Sequence, residues 1–349
     1  MFKDISINEL LSNHTNDYVM VDVRSPSEYE EMTIPGSYNI PVFDDRERAE
    51  VGTLYKQVSK EAATDRGLEL FSAKLPDFIK RFKELPGKKV VYCWRGGMRS
   101  KSAATFLDLM GIETYRIKGG IRTYRHWVLE QLESIELTQE AFVLNGGTGT
   151  GKTEILHRLA QEGFPVIDLE GLANHRGSVF GGLGLTPHKQ KTFDSLLVNE
   201  LKRLEHHPLV LFEAESKRVG KVLLPSFILN KKEEATHIFI ELPIEERVGH
   251  IMNEYKLHEH HEEFAMSFKK IKRRIHSPVA NQIEEELKMR NYEKVLELLL
   301  TYYYDPRYKH SAEKYRDDQK ILLKVKTIDE AVKAVKGIVA EKKGLVGSN

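Results

Sequence analysis

Short apolar runs alternate with polar, glycine-punctuated stretches along most of the chain. Residues 18–23 (Tyr-Val-Met-Val-Asp-Val) are mostly apolar and β-branched, which predicts a buried strand. Arg24-Ser25-Pro26-Ser27-Glu28 predicts a turn that opens a helix. Lys89-Val90-Val91-Tyr92-Cys93 predicts a second strand, broken by Gly96-Gly97. Ala103, Ala104, Phe106, Leu107 and Met110 then recur at helical spacing over residues 100–110, and Gly111 stops that helix. A short strand is expected over 113–117, and a helix over 124–132 follows Gly119-Gly120.

A polar connector over 134–140 separates this region from a second one of the same kind. A strand is expected over 141–144, then a glycine-rich turn, a helix over 152–162 and a strand over 164–169. Leu209-Val210-Leu211-Phe212 and His237-Ile238-Phe239-Ile240 predict two more buried strands. Alternating strands and helices predict a parallel α/β sheet in each of two domains, 1–135 and 136–349. From Ile244 onward the pattern becomes mostly helical and charged.

Bulk properties narrow the chemistry. The 349 residues suffice for two domains of ordinary size, and 40% apolar with 30% charged residues is the balance of a soluble globular protein. The net charge of +1 neither demands nor excludes a nucleic-acid partner. The single cysteine rules out an intrachain disulfide and a cysteine-cluster metal site, and it suits a reducing compartment. Met1-Phe2-Lys3-Asp4-Ile5 lacks the pattern of a signal peptide, and no apolar run is long enough to cross a bilayer. The expected location is cytoplasmic, without a membrane partner.

That cysteine begins the loop Cys93-Trp94-Arg95-Gly96-Gly97-Met98-Arg99-Ser100. A loop at the carboxyl end of a parallel strand lies where α/β proteins gather ligands. Its glycines let backbone N–H groups converge on an anion, and the following helix adds its positive end. With Arg95 and Arg99 alongside, these features favour a reactive thiolate at Cys93 over an inert core thiol. In the second domain, Gly146-Gly147-Thr148-Gly149-Thr150-Gly151-Lys152-Thr153 matches the phosphate-loop pattern G-x4-G-K-[ST] in full, between an apolar strand and a helix. Its backbone N–H groups would wrap a diphosphate, Lys152 would neutralise it and Thr153 would hold Mg²⁺. Leu209 to Glu213 reads as a strand ending in an acid. Glu213 or Glu215 is then either a residue facing the metal or an ordinary strand-end carboxylate, and the sequence leaves both open. Asn230-Lys231-Lys232-Glu233 is read as a polar turn rather than a guanine-binding motif.

The N-terminal region resembles a rhodanese domain. Asp22-Val23-Arg24-Ser25-Pro26 with Glu28, and Ile34-Pro35-Gly36-Ser37-Tyr38-Asn39-Ile40-Pro41, resemble that family's early motifs. The loop from Cys93 stands in the place of its sulfur-carrying loop, and Arg99 lies one position later than in the common sulfurtransferase loop. The longer spacing also belongs to cysteine phosphatases, although Tyr92 stands where they carry histidine. A rhodanese domain followed by a phosphate-loop domain resembles the tRNA 2-selenouridine synthase family. The likeness extends through residues 44–57, residues 169–178 (Leu169 to Ser178), residues 213–220 (Glu213 to Gly220) and Tyr303-Tyr304-Asp305-Pro306.

The resemblance implies an N-terminal rhodanese-like α/β domain and a C-terminal P-loop NTPase-like α/β domain with a helical extension. It implies a substrate, the wobble 2-thiouridine of tRNAs for Lys, Glu and Gln. It also implies two co-substrates, geranyl diphosphate at Gly146 to Thr153 and selenophosphate at Cys93, with S-geranyl-2-thiouridine between the steps. A selenophosphate-supplying enzyme is a further implied partner. Arg176 and Lys217-Arg218 lie in the family-like segments and are candidates for phosphate or diphosphate contact.

The basic run Lys269, Lys270, Lys272, Arg273 and Arg274, with apolar residues at helical intervals, offers a face for tRNA phosphates. Tyr302, Tyr303, Tyr304 and Tyr308 are candidates for stacking an unstacked base or for ordinary packing. His258, His260 and His261 with their glutamates read as a charged helical turn rather than a metal site. Three rivals remain at this point: a phosphatase or sulfurtransferase fused to an ATP-binding kinase-like domain, a plain thiosulfate sulfurtransferase, and an anion-sensing module without catalysis.

Overall fold

In the computed structural model the described residues are 1–12, 17–308 and 314–346. The chain divides into two units, Met1–Ser134 with Asp194–Val198, and Ile135–Phe193 with Asn199–Asn349.

The first unit runs β1 (Lys3–Ile5), α1 (Ile7–Ser12), β2 (Tyr18–Asp22), α2 (Pro26–Glu31), β3 (Tyr38–Asn39), α3 (Asp45–Gln57), α4 (Lys60–Glu84), β4 (Lys88–Tyr92), α5 (Met98–Leu109), β5 (Thr114–Ile117) and α6 (Gly120–Ser134). Its five strands pair in parallel in the order β1-β5-β4-β2-β3. The sheet is covered on both faces, so β4 is apolar almost throughout. Successive residues of β4 point to opposite sides. Val91 joins a core with Val21, Phe71, Phe82 and Leu107, whereas Val90 and Tyr92 join Ile117, Ile121 and Trp127.

The early motifs build scaffold around β2. Arg24 and Asp22 form a buried ion pair at 2.6 Å, and the Arg24 guanidinium also donates to the Met32 carbonyl. Asn39 ties Asp22 and Arg24 together through their carbonyls at 2.9 and 3.0 Å. Helix α3 begins at a reciprocal cap, in which Asp44 accepts from the Glu47 N–H at 2.8 Å and Glu47 accepts from the Asp44 N–H at 2.9 Å. Helix α4 is anchored by Phe71, Phe78 and Phe82, whose rings pack 5.0 and 4.8 Å apart in succession. Truncating one such buried phenylalanine to alanine costs about 3–5 kcal/mol.

The second unit runs β6 (Glu140–Gly146), α7 (Lys152–Gln161), β7 (Val166–Ile167), α8 (Leu169–Ala173), α9 (Gln190–Arg203), β8 (Leu209–Glu213), β9 (Arg218–Val219), β10 (Val222–Leu223), α10 (Ser226–Glu234), β11 (Thr236–Glu241), α11 (Ile244–Tyr255), α12 (His261–Ile271), α13 (Ser277–Lys288), α14 (Tyr292–Leu299), α15 (Asp305–Tyr308), β12 (Lys320–Lys324) and α16 (Ile328–Val346). Residues 194–198 of α9 group with the first unit. A five-stranded parallel sheet, β12-β11-β6-β8-β7, is joined by the small antiparallel pair β9-β10. Helices α11 to α14 close over their own core, which includes Ile251, Phe264, Phe268, Ile283 and Tyr292.

Three expectations change. The strand expected over 164–169 shrinks to Val166–Ile167. Pro165 has no N–H to give the ladder, and Asp168 instead caps α8, accepting from the Gly171 N–H at 2.7 Å. Residues 230–233 lie inside α10, not in a turn. The helical C-terminal region also contains β12, which pairs with β11 from Lys320 to Lys324.

Candidate active sites

Both candidate loops leave the central strand of their sheet at its carboxyl end. Cys93 follows β4 directly, and Gly97 stands at the cap of α5. The loop is tied down by backbone bonds from Ile121 N–H to the Cys93 carbonyl at 2.9 Å and from Arg122 N–H to the Trp94 carbonyl at 3.2 Å. Gly120 makes this approach possible, because a Cβ there would lie 2.2 Å from the Cys93 carbonyl oxygen. Cys93 is 3% exposed, and its sulfur sits 3.2 Å from the Ser100 hydroxyl. Arg99 lies in the electrostatic reach of Cys93, as does Arg116. The Arg99 guanidinium forms a two-point pair with Glu28. Burial raises the Glu28 carboxyl, but Arg99 outweighs it and holds the group below its ordinary value. Arg95 is exposed.

Cys93 lines a cavity of about 630 Å³. Its far walls come from α3 and α4, including Val51, Tyr55, Leu68 and Phe71. The segment 44–57 and the helix after it therefore build the chamber in front of the sulfur. Sequence reasoning marked 44–57 as family-like without assigning it a task. The available signal was Val51 and Tyr55 at i, i+4 in a mostly polar helix.

The second loop joins β6 to α7. Gly149 and Gly151 have φ of +81° and +70°, and a Cβ on Gly149 would come 2.9 Å from the Arg247 carbonyl. Arg247 braces the loop by donating from Nε to the Thr148 carbonyl at 2.9 Å while its two terminal nitrogens grip Asp305 at 3.0 and 2.6 Å. The late Tyr-Tyr-Asp-Pro element thus supports the phosphate loop. Lys152 donates to the Gly146 carbonyl at 3.2 Å. The Thr153 hydroxyl donates to Glu170 at 2.9 Å.

Carboxylates crowd this loop. Glu170 lines its cavity of about 270 Å³ together with Lys152, Thr153, Arg176, Glu215 and His250. Burial and the neighbouring Glu215 push the Glu170 carboxyl up to about 8. Glu213 is wholly buried behind it, accepting from the Glu170 N–H at 2.6 Å, and its other oxygen has no partner among the described residues. Burial, then Asp168 and Glu170, hold the Glu213 carboxyl well above its ordinary value. Gly177 closes over the pair, since a Cβ there would meet Glu170 at 2.4 Å and Glu215 at 2.7 Å. Arg176 pairs with Glu254 at 3.0 Å and lies over the Tyr255 ring at 4.7 Å.

Comparison with known proteins agrees with this two-part organisation. The rhodanese-like domain family matches residues 6–126, and the family described as tRNA 2-selenouridine synthase AAA domain matches residues 139–338. A tRNA 2-selenouridine synthase of Nitrosomonas europaea is 34% identical over 73% of this chain and 68% of its own length. One from Bdellovibrio bacteriovorus is 35% identical over 73% of this chain and 69% of its own. One from a Sulfurovum species is 32% identical over 86% of this chain and 90% of its own. The chain belongs to the tRNA 2-selenouridine synthase family.

The remaining residues singled out in this family member fall outside the two cavities or at their edges. Lys269, Lys270, Arg273 and Arg274 are exposed, and Phe268 and Ile271 face inward. Helix α12 ends at Ile271, so the basic run continues as a tight turn, and Lys272 pairs with Glu284 at 2.8 Å. Lys217 and Arg218 are exposed beside β9. Tyr303 and Tyr304 are buried, Tyr302 is exposed, and Tyr308 lines the phosphate-loop cavity. His261 bonds to the Tyr292 hydroxyl at 2.9 Å, and no group of three or more His, Cys, Asp or Glu side chains among the described residues is placed to hold a metal. No described helix is long and apolar enough to cross a membrane. Sequence reasoning missed Glu170 and Arg247 as parts of the second site. Glu170 had one signal, a carboxylate opening the helix that follows β7.

Proposed function

We propose that this chain replaces sulfur by selenium at the wobble 2-thiouridine of tRNA in two steps, one at each loop. The observation that carries the reading is the presence, in one chain, of a cysteine opening on an apolar chamber and a complete diphosphate-binding loop. In the first step the thiouridine sulfur attacks C1 of geranyl diphosphate. The C–O bond breaks, diphosphate leaves with the electron pair, and the base loses its N3 proton. In the second step selenium attacks C2 of the S-geranyl base, and the C–S bond breaks. Geranylthiolate leaves, takes up a proton, and water removes the phosphoryl group from selenium as phosphate. Alkylation is what turns a poor leaving group into a good one.

In this reading Gly146, Gly147, Thr148, Gly149, Thr150 and Gly151 present backbone N–H groups to the diphosphate, and Lys152 leaves its Gly146 carbonyl to meet it. Mg²⁺ fits beside them. The Thr153 hydroxyl and the Glu170 carboxylate would hold it, with phosphate oxygens of the ligand completing the set. When bound, the ion stabilises the departing diphosphate. Glu213 holds Glu170 from behind through its N–H, and Arg176 positions the cavity wall through Glu254. At the other loop, Cys93 is the site of selenium delivery, with Arg95 and Arg99 drawing selenophosphate. The exposed Lys269, Lys270, Arg273 and Arg274, with Lys272, contact tRNA phosphates.

The reading is tested by incubating the chain with 2-thiouridine tRNA, geranyl diphosphate and selenophosphate, then resolving the nucleosides by mass spectrometry. S-geranyl-2-thiouridine followed by 2-selenouridine is expected. Selenouridine formed at full rate without geranyl diphosphate would overturn the two-step scheme.

A further inference from the structure

The cavity in front of Cys93 is larger and more apolar than selenophosphate requires. A small, highly charged anion gains nothing from hydrocarbon walls and loses hydration against them. Yet four large apolar side chains stand exposed around this one chamber: Tyr55 at 61%, Leu68 and Met98 at 59%, and Trp94 at 39%. Apolar area gathered in one concavity marks a ligand surface. At about 630 Å³ the chamber is in the size class of sites that enclose small organic groups. Its rim carries the exposed cations Lys56, Lys60 and Arg95, which complement a polyanion outside an apolar interior.

We propose that this chamber is the binding site for the terpenyl chain of an S-alkylated nucleobase carried on RNA. The chain fills the space between α3 and α4, the cationic rim meets the flanking phosphates, and the carbon to be attacked is presented at Cys93. The site thereby selects the alkylated base over the free thiocarbonyl and holds the leaving group before it departs. This rests on the two-step reading above.

The test is equilibrium binding of the full chain to a short RNA stem-loop bearing S-geranyl-2-thiouridine, against the same RNA bearing S-methyl-2-thiouridine. The geranyl RNA should bind at least about tenfold more tightly, since a single methylene in a fitted pocket is already worth about tenfold or more. Leu68→Ser and Met98→Ser remove apolar surface without adding charge and alter side chains that are mostly exposed, so both variants should keep the wild-type unfolding midpoint. Each should erase most of the geranyl preference while leaving affinity for the methyl RNA within about twofold. Equal affinity of the wild-type chain for the two RNAs would overturn the proposal and leave the chamber to another apolar occupant. A parallel loss for both RNAs in the variants would overturn it too. A geranyl preference without any selenouridine from selenophosphate would support the chamber's ligand class and sink the selenation step instead.

Discussion

The two loops start from the same architectural position and end as opposite environments. Each follows the central strand of a parallel sheet, turns on glycines and opens a helix. Around Cys93 the neighbours include Val51, Leu68, Phe71 and Trp94, with the Arg99–Glu28 pair close by and the exposed cations at the rim. Around Lys152 they are Glu170, Glu215, Arg176 and His250. The strand and the turn therefore fix where chemistry happens, and the helices brought in from elsewhere in the chain decide what kind. Helices α3 and α4 line one chamber with apolar side chains. Helix α8, Glu215 after β8 and helix α11 make the other a polar cavity lined by carboxyl groups, a lysine and a histidine.

This contrast can be broken first at Lys152. Lys152→Ala should weaken geranyl diphosphate binding by about 2–5 kcal/mol, the scale for removing one member of a desolvated charge pair. Calorimetry that found unchanged affinity would move the diphosphate to another site.

Arg247 sharpens the comparison, because its role is support. Arg247→Lys keeps the charge but loses the two-point grip on Asp305 and the bond to Thr148. A loss of about tenfold in diphosphate affinity is expected, the lower end for a supporting residue. Wild-type affinity in this variant would show that the brace does not order the loop.

The smallest effect is in pH dependence. The folded Glu170 carboxyl keeps its proton up to about 8, whereas the unfolded chain releases it near 4.5. Its contribution to stability is complete below the unfolded value and is lost as pH rises through the folded one. In the ligand-free chain, the unfolding midpoint should therefore decline across that window. Glu170→Gln should flatten the decline, and a variant with the wild-type slope would contradict the assignment of the buried proton to Glu170.

The regular elements next to each loop could be read locally. Residues 18–23, 89–93, 209–212 and 237–240 are mostly apolar because both faces of their sheets are covered, and each holds a strand. The glycines of Cys93 to Ser100 and Gly146 to Thr153 announced turns for the same local reason. What failed depended on distant partners. Strand β12 carries charge at both ends and lies at a sheet edge, so only its pairing with β11 reveals it. Residues 230–233 look like a polar turn until α10 is seen to run through them, with Lys232 reaching the Glu215 carbonyl at 2.9 Å. The Arg247 brace joins positions 58 residues apart, and no spacing rule predicts it. The apolar chamber was hidden for the same reason. Its walls come from α3, a segment marked as family-like but without a place in front of the sulfur, and from α4, which carried no such mark.

The division of labour between the loops is tested most directly at Cys93. The Cys93→Ser chain, supplied with 2-thiouridine tRNA and both co-substrates, should accumulate S-geranyl-2-thiouridine and form no 2-selenouridine when the nucleosides are resolved by mass spectrometry. Selenouridine appearing at the wild-type rate would contradict the account.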